Sequence, residues 1–166
     1  MLLAIISDTH DNVSNIEKFL SWAKINKIKI IIHCGDITTS EMITKFFGPA
    51  KINFHCVLGN ASNHETIPRA CKNFSNTNCH GDKGELNIEN LKIGFCHFPE
   101  TAKKMTQEGN YQLIFYGHTH KPWMETLNNN CQIINPGTLG GVFQKATFAI
   151  YDTKIKKIEL KILELL

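Results

Sequence analysis

No C-x-x-C pair occurs in this chain, although it carries six cysteines: Cys34, Cys56, Cys71, Cys79, Cys96 and Cys131. Their irregular spacing argues against a cysteine zinc site or a thioredoxin-type motif. Long apolar runs are missing as well, because "MLLAII" stops at Ser7 and Asp8, too soon for a signal-peptide core or a membrane span. These absences place the chain in the cytoplasm, where its cysteines are expected to be free thiols, most of them packed as small hydrophobes. Linkers, low-complexity tracts and internal repeats are also absent, so residues 1–166 read as one domain large enough for a sizeable core. Charge of one sign is scarce: the net value is +3, and Lys154, Lys156, Lys157 and Lys161 are interleaved with Glu159 and Glu164. That is the pattern of a solvated strand face, so no stable nucleic-acid binding and no membrane partner are expected, only weak attraction for anionic substrates.

What is present begins with alternation. "LLAII" reads as a buried strand, followed by a capping box from Ser14 to Glu17 that opens a helix with Ile16, Phe19, Leu20 and Ala23 on one face. "KIKIIIHC" is a second strand, "SEMITKFF" a short helix ended by Gly48-Pro49, and "INFHCVL" a third strand before a helical segment from His64 to Asn73. This β-α-β-α-β order predicts parallel pairing. "GELNIENLKIGFCH" reads as a hairpin turning near Glu89-Asn90, "PETAKKMTQEG" as a helix and "YQLIFY" as a strand. From Trp123 onward the pattern is all β: "WMETL", a turn at Asn128 to Asn130, "CQII", "ATFAIYD", a turn near Thr153 and "IKKIELKIL". A mixed α/β fold with two sheets follows, and the β-rich C-terminal third offers edges that could pair between subunits as a homo-oligomer.

Five apolar runs end in groups that bind metals. "LLAII" leads to Asp8 and His10, "KIIIHCG" to Asp36, "HCVLG" to Asn60, "LKIGFC" to His97 and "LIFYG" to His118 and His120. Loops at the carboxyl ends of strands in an open α/β sheet share one edge, where ligand sites form. Two carboxylates, four imidazoles and one amide oxygen suit borderline to hard divalent ions such as Mn, Fe, Co, Ni or Zn. Seven ligands are about right for two ions, and two ions about 3.5–4 Å apart form the clamp that hydrolyses phosphate esters.

In this order "SDTH", "GD", "GN", His97 and "GHTH" resemble the signature of calcineurin-like metallophosphoesterases, and the chain is most similar to their small prokaryotic phosphodiesterase branch. "NPGT" at Asn135 to Thr138 also looks like a turn of that branch, so the resemblance runs from Ser7 to about Thr138. It implies a four-layer α-β-β-α fold: a two-sheet β-sandwich flanked by helices. By the same resemblance Asp8, His10 and His120 hold one divalent ion, Asn60, His97 and His118 hold a second, and Asp36 bridges them. Manganese is the first expectation for the metals, with nickel, iron, cobalt or zinc also compatible. The implied reaction is hydrolysis of a small phosphoester, a phosphodiester first, by a hydroxide shared between the ions, with Asn60 also orienting the phosphoryl group.

Two places depart from the family's pattern. Ala61 and Ser62 follow Gly59-Asn60 where many relatives carry His, Cys or Asn and then Asp, and Phe98-Pro99 follow His97 where Gly is common. In larger relatives a His directly after that Asn is thought to assist the leaving group, which Ala61 cannot do. His64 is the candidate replacement as general acid, set against a solvated residue near a helix start. His33 reads as structural, His55 as filler, Cys34 and Cys96 as unlike nucleophiles because neighbouring strand residues face opposite ways, and Cys79-His80 as a loop without an evident partner. The rival class is a non-catalytic, metal-binding or protein-interaction scaffold on the same fold, as in the retromer subunit that resembles this superfamily.

Overall fold

The computed structural model describes residues 1–127 and 130–166, and within the expected turn at Asn128 to Asn130 the first two residues lie outside that range. Strands β1 (Leu2–Ile6), β2 (Ile30–His33), β3 (Asn53–Cys56) and β4 (Thr77–Cys79) run parallel in one sheet. The same sheet gains β10 (Thr147–Asp152) antiparallel to β1 and β11 (Lys157–Ile162) antiparallel to β10, giving the order β11-β10-β1-β2-β3-β4. The second sheet runs β5-β6-β7-β9-β8, built from β5 (Lys83–Ile88), β6 (Leu91–Cys96), β7 (Leu113–Phe115), β8 (Trp123–Thr126) and β9 (Gln132–Asn135). Its central pairs β6–β7 and β7–β9 are parallel, and the flanking pairs are antiparallel.

Alternation along β1 explains how the layers stack. Ala4 and Ile6 face helix α1 (Val13–Ile25) and meet its buried Ile16, Phe19, Leu20 and Ala23. Leu3 and Ile5 face the other way and pack with Ile32, Phe95, Phe115 and Ile134 between the two sheets. A third apolar cluster joins Ile114, Tyr116 and Ile133 of the second sheet to Ala102 and Met105 of helix α3 (Pro99–Glu108). Three apolar spaces between four layers are the α-β-β-α arrangement expected from the sequence. Among the described residues no helix is long and apolar enough to cross a membrane.

Local corrections are few, and each has a physical cause. Helix α1 is capped by Asn12, whose side-chain oxygen accepts from the Asn15 N–H at 3.2 Å, so Ser14 lies inside the first turn and the expected capping box is not used. "SEMITKFF" forms a π-helical turn at Ile43–Phe47, closed by Gly48 N–H donating to the Ile43 carbonyl at 2.9 Å. The third helix of the first half, α2 (Thr66–Cys71), is shorter than the segment from His64 to Asn73. Cys79, expected in a loop with His80, instead ends β4, which is held by its neighbour β3 rather than by local propensity, which disfavours Asn in strands. The hairpin at Glu89-Asn90 is present, with Ile88 opposite Leu91, and so is the turn after Asp152. Cys34, Cys56, Cys71, Cys79 and Cys96 carry free thiols, as expected.

Candidate metal centre

Each candidate ligand sits one to five residues beyond the carboxyl end of a strand: Asp8 and His10 after β1, Asp36 after β2, Asn60 after β3, His97 after β6, and His118 and His120 after β7. The three first-sheet strands are parallel neighbours, and β6 and β7 are parallel neighbours in the second sheet. Main-chain bonds then tie the loops together: Asp8 N–H donates to Gly35 O at 3.0 Å, His10 N–H to Asp36 O at 3.1 Å, and Gly117 N–H to His97 O at 3.0 Å. Chain direction gathers the strand ends within each sheet, and His97 Nδ1 on Cys34 O at 2.9 Å with His118 N–H on Asp8 Oδ2 at 3.0 Å joins the two edges.

The backbone there is unusual. Asp8, His10, Asp36, His118 and His120 all have positive φ, from 40° at His10 to 68° at His118. Asp and His tolerate this region better than most residues, yet it persists at so many neighbouring positions only where the surroundings over-determine it. Glycine is needed beside them for space. A Cβ on Gly59 would collide with Asp36 Oδ1, and one on Gly117 would lie 2.7 Å from Asp8 Oδ2.

Donor atoms cluster in two overlapping groups, Asp8 with His10 and His120, and Asp8 with Asp36 and His97. In the first, His120 Nε2 lies 3.3 Å from Asp8 Oδ1 and 3.2 Å from His10 Nε2. In the second, His97 Nε2 lies 3.5 Å from Asp36 Oδ2 and 3.1 Å from Asn60 Oδ1. Asp36 Oδ2 is also 3.8 Å from His10 Nε2, so one oxygen faces an imidazole from each group. Its other oxygen accepts the Ala61 N–H at 2.9 Å. The His118 ring packs 5.1 Å from that of His97, and its backbone N–H donates to Asp8 Oδ2 at 3.0 Å. All seven candidates thus come together in one place.

The protons on these rings can be assigned from their far sides. A carbonyl oxygen only accepts, so His97 Nδ1, 2.9 Å from Cys34 O, and His120 Nδ1, 3.2 Å from Val142 O, each carry hydrogen. In the neutral imidazole Nε2 is then a lone pair. Burial lowers the basicity of His97 and of His10 and so favours their neutral forms, while burial also pushes the Asp8 carboxyl up to about 6. At His97 a lone pair therefore faces an amide oxygen and a carboxylate with no proton between them. Such a set of converging acceptors fits a divalent cation, and the carbonyl partners on the far nitrogens are the outer hydrogen bonds that fix ligand tautomers.

Several supporting residues carry no obvious signal in the sequence. His33 is fully buried and braces both first-sheet loops: its Nε2 meets Thr9 Oγ1 at 3.1 Å and its Nδ1 accepts the Gly35 N–H at 3.2 Å. Burial holds its imidazole down at about 3, in keeping with a structural role. Asp11 accepts from Thr38 and Thr39 N–H at 2.8 Å each, clamping the loop after Asp36. Asn135 of "NPGT" donates to Gly117 O at 2.8 Å and Thr119 Oγ1 at 3.0 Å, and Thr138 Oγ1 donates to Asp8 O at 2.8 Å. Ser62 Oγ accepts the Gly59 N–H at 3.0 Å, giving that departure from the family pattern a turn-holding role. His64 Nε2 lies 3.0 Å from Gly59 O, so its ring is bound to the loop that carries Asn60. His55 and His80, expected to lack function or partner, bond to each other at 3.0 Å across β3 and the end of β4. Cys34 and Cys96 are buried, which raises both thiols away from the reactive thiolate.

Comparison with known proteins agrees with this geometry. A family model described as the calcineurin-like phosphoesterase superfamily domain matches residues 1–156. A phosphodiesterase of Methanocaldococcus jannaschii is 29% identical over 168 residues, covering 99% of this chain and 100% of that protein. A solved structure described as a novel archaeal phosphodiesterase superposes with a TM-score of 0.88 at 27% identity, over 98% of this chain and 99% of the other. The vacuolar protein sorting protein Vps29 of Entamoeba histolytica, solved with zinc, gives a TM-score of 0.70 at 16% identity, over 98% and 99% of the two chains. That last likeness is one of fold.

Proposed function

The chain belongs to the calcineurin-like phosphoesterase superfamily, and from that premise we propose that it hydrolyses phosphodiesters at a dinuclear divalent-metal centre, in the cytoplasm. The observation that carries the reading is the lone pair of His97 Nε2, 3.1 Å from Asn60 Oδ1 and 3.5 Å from Asp36 Oδ2, with its Nδ1 proton already given to Cys34 O. Asp8, His10 and His120 would hold one ion, Asn60, His97 and His118 the other, and Asp36 would be shared between them; the first trio and the Asp36–His97 pair lie in the clusters of donor atoms. Oxygen and imidazole donors without a thiolate suit manganese, iron, cobalt, nickel or zinc, and manganese is the ion to load first. When bound, the two ions would supply a hydroxide nucleophile and neutralise the phosphoryl oxygens.

The chain's own groups do the rest. Asn60 is exposed, next to the buried His97, and so can orient a phosphoryl oxygen from the open side of the cleft. His64 is the proposed general acid. Its Nε2 must leave Gly59 O to reach a leaving group, a short loop movement at an exposed position. The free thiols fit a reducing compartment.

The deciding experiment loads the protein with manganese, counts bound ions by elemental analysis, and measures turnover on mono-, di- and cyclic phosphoesters. Two ions per chain with turnover greatest on a diester supports the proposal. Two ions without turnover on any ester would move the chain to the scaffold class, and one ion would remove the dinuclear assignment.

A further inference from the structure

Phe98 occupies the N-cap position of α3 with extended backbone (φ −88°, ψ 139°) and makes no side-chain cap bond. Helix N-caps favour Ser, Thr, Asp or Asn, whose oxygens satisfy the first free N–H groups. A phenyl ring cannot do this, so helix stability does not account for the residue. Burial does not account for it either, because Phe98 is 37% exposed. Its ring lies instead against two candidate metal ligands, 4.8 Å from His97 at 75° and 4.9 Å from His118 at 61°. The two imidazoles meet each other edge-on at 5.1 Å, so three rings form a mutually braced cluster beside Asn60.

The backbone leaves Phe98 little freedom. Pro99 restricts the residue before it to extended conformations. The Phe98 carbonyl accepts the Ala102 N–H at 3.0 Å and the Cys96 thiol at 3.5 Å, tying it to both α3 and the end of β6. The result is a partly exposed apolar ring held against His97 and His118 beside an otherwise polar cluster.

We propose that Phe98 is a specificity-determining aromatic shelf that binds a planar ring on the ester group of the substrate, so that aryl or nucleoside phosphoesters are preferred over alkyl ones. The inference rests on the phosphodiester reading of the same centre. A phosphoryl group held between Asn60 and His97 has its substituent leaving the cleft past this rim, where stacking on one aromatic side chain is sequence-tolerant and worth a substantial factor in affinity.

The test uses calorimetric binding to manganese-loaded protein, with phenyl phosphate compared to methyl phosphate and adenosine 5′-monophosphate to ribose 5-phosphate. The expected result is about 10-fold tighter binding of the ring-bearing member of at least one pair. Phe98→Ala should erase that ratio without changing metal stoichiometry, Phe98→Trp should retain it, and Phe98→Leu should not. A ratio confined to the adenosine pair identifies a nucleobase, and one in both pairs identifies any planar ring. An unchanged ratio in Phe98→Ala overturns the proposal, as does an equal loss of affinity for both members of a pair together with lost metal, which would make Phe98 a support for His97 and His118. Failure of the metal-dependent phosphoester reading on which this rests looks different: none of the four phosphates binds in a metal-dependent way.

Discussion

Asp8, His10 and His120 stand on a braced floor, whereas Asn60, His97 and His118 stand at an open wall. On the first side the Asp8 carbonyl takes bonds from Thr138 Oγ1 and Gly140 N–H, Leu139 N–H bonds to Ser7 O, and His120 is pinned by Val142 O. On the second side only His97 is buried; Asn60, His118 and Phe98 all face solvent. Both departures from the family pattern, Ala61 and Phe98, fall on that second side. The contrast teaches that one side of this candidate centre is fixed by main-chain and side-chain bonds, while the other, where both departures fall, is the more exposed.

Asp36 faces both halves, so its removal should have the largest effect. Asp36→Ala is expected to lower turnover at least about 1,000-fold, equivalent to about 4 kcal/mol of transition-state stabilisation, and to weaken binding of both ions. Steady-state kinetics beside equilibrium dialysis would read this, and full activity in the variant would end the bridging assignment. Gly59→Ala should separate the halves. Its Cβ would strike Asp36 Oδ1 and sit 2.9 Å from His97 Cδ2, so both ions should weaken, the one assigned to His97 and Asn60 about 10-fold or more beyond the other. Equal loss of both ions would erase the contrast drawn above.

A smaller effect is expected at His64. His64→Ala should slow esters with poor leaving groups about 100-fold and leave activated aryl esters nearly untouched. An equal loss on both would assign His64 to holding the Asn60 loop through Gly59 O instead.

A separate effect concerns stability of the metal-free protein. Burial lowers His33 to about 3 in the fold against an ordinary value of 6.5, so the unfolded chain binds the extra proton. Stability is then fully present above pH 6.5 and lost as pH falls toward about 3, with a limiting slope of about 1.4 kcal/mol per pH unit. Denaturant titrations should show that slope flattened in His33→Gln, and an unchanged slope would place the acid sensitivity elsewhere.

The clustering of this candidate centre was legible because its donor groups are distinctive side chains at the ends of apolar runs. Parallel strands turn such ends into a common edge, so Asp8, Asp36 and His97 could be placed together without any coordinates. The supports were less visible for stated reasons. Ala61 contributes through its backbone N–H, which every residue but proline has. His33 acts by its burial and by two bonds to loop atoms, and nothing in "IIIHCG" distinguishes that from a strand end. β4 depends on pairing with β3, and a three-residue segment with Asn at its centre carries no periodicity to read. The Asn12 cap was missed because a competing box two residues later satisfied the same pattern.

The distance along the chain between the partners of the first half has a consequence for biosynthesis. His10 and His120 touch although 110 residues separate them, and the clasp between Leu139 and Ser7 spans still more. Contacts this remote form late, after the local hairpins and helices have already collapsed. A chain emerging from the ribosome contains His10 long before His120 has been synthesised, so these two candidate ligands can meet only late in translation. An ion that needs both would enter a fold already closed, as a pin and not as a nucleus around which the sheets assemble.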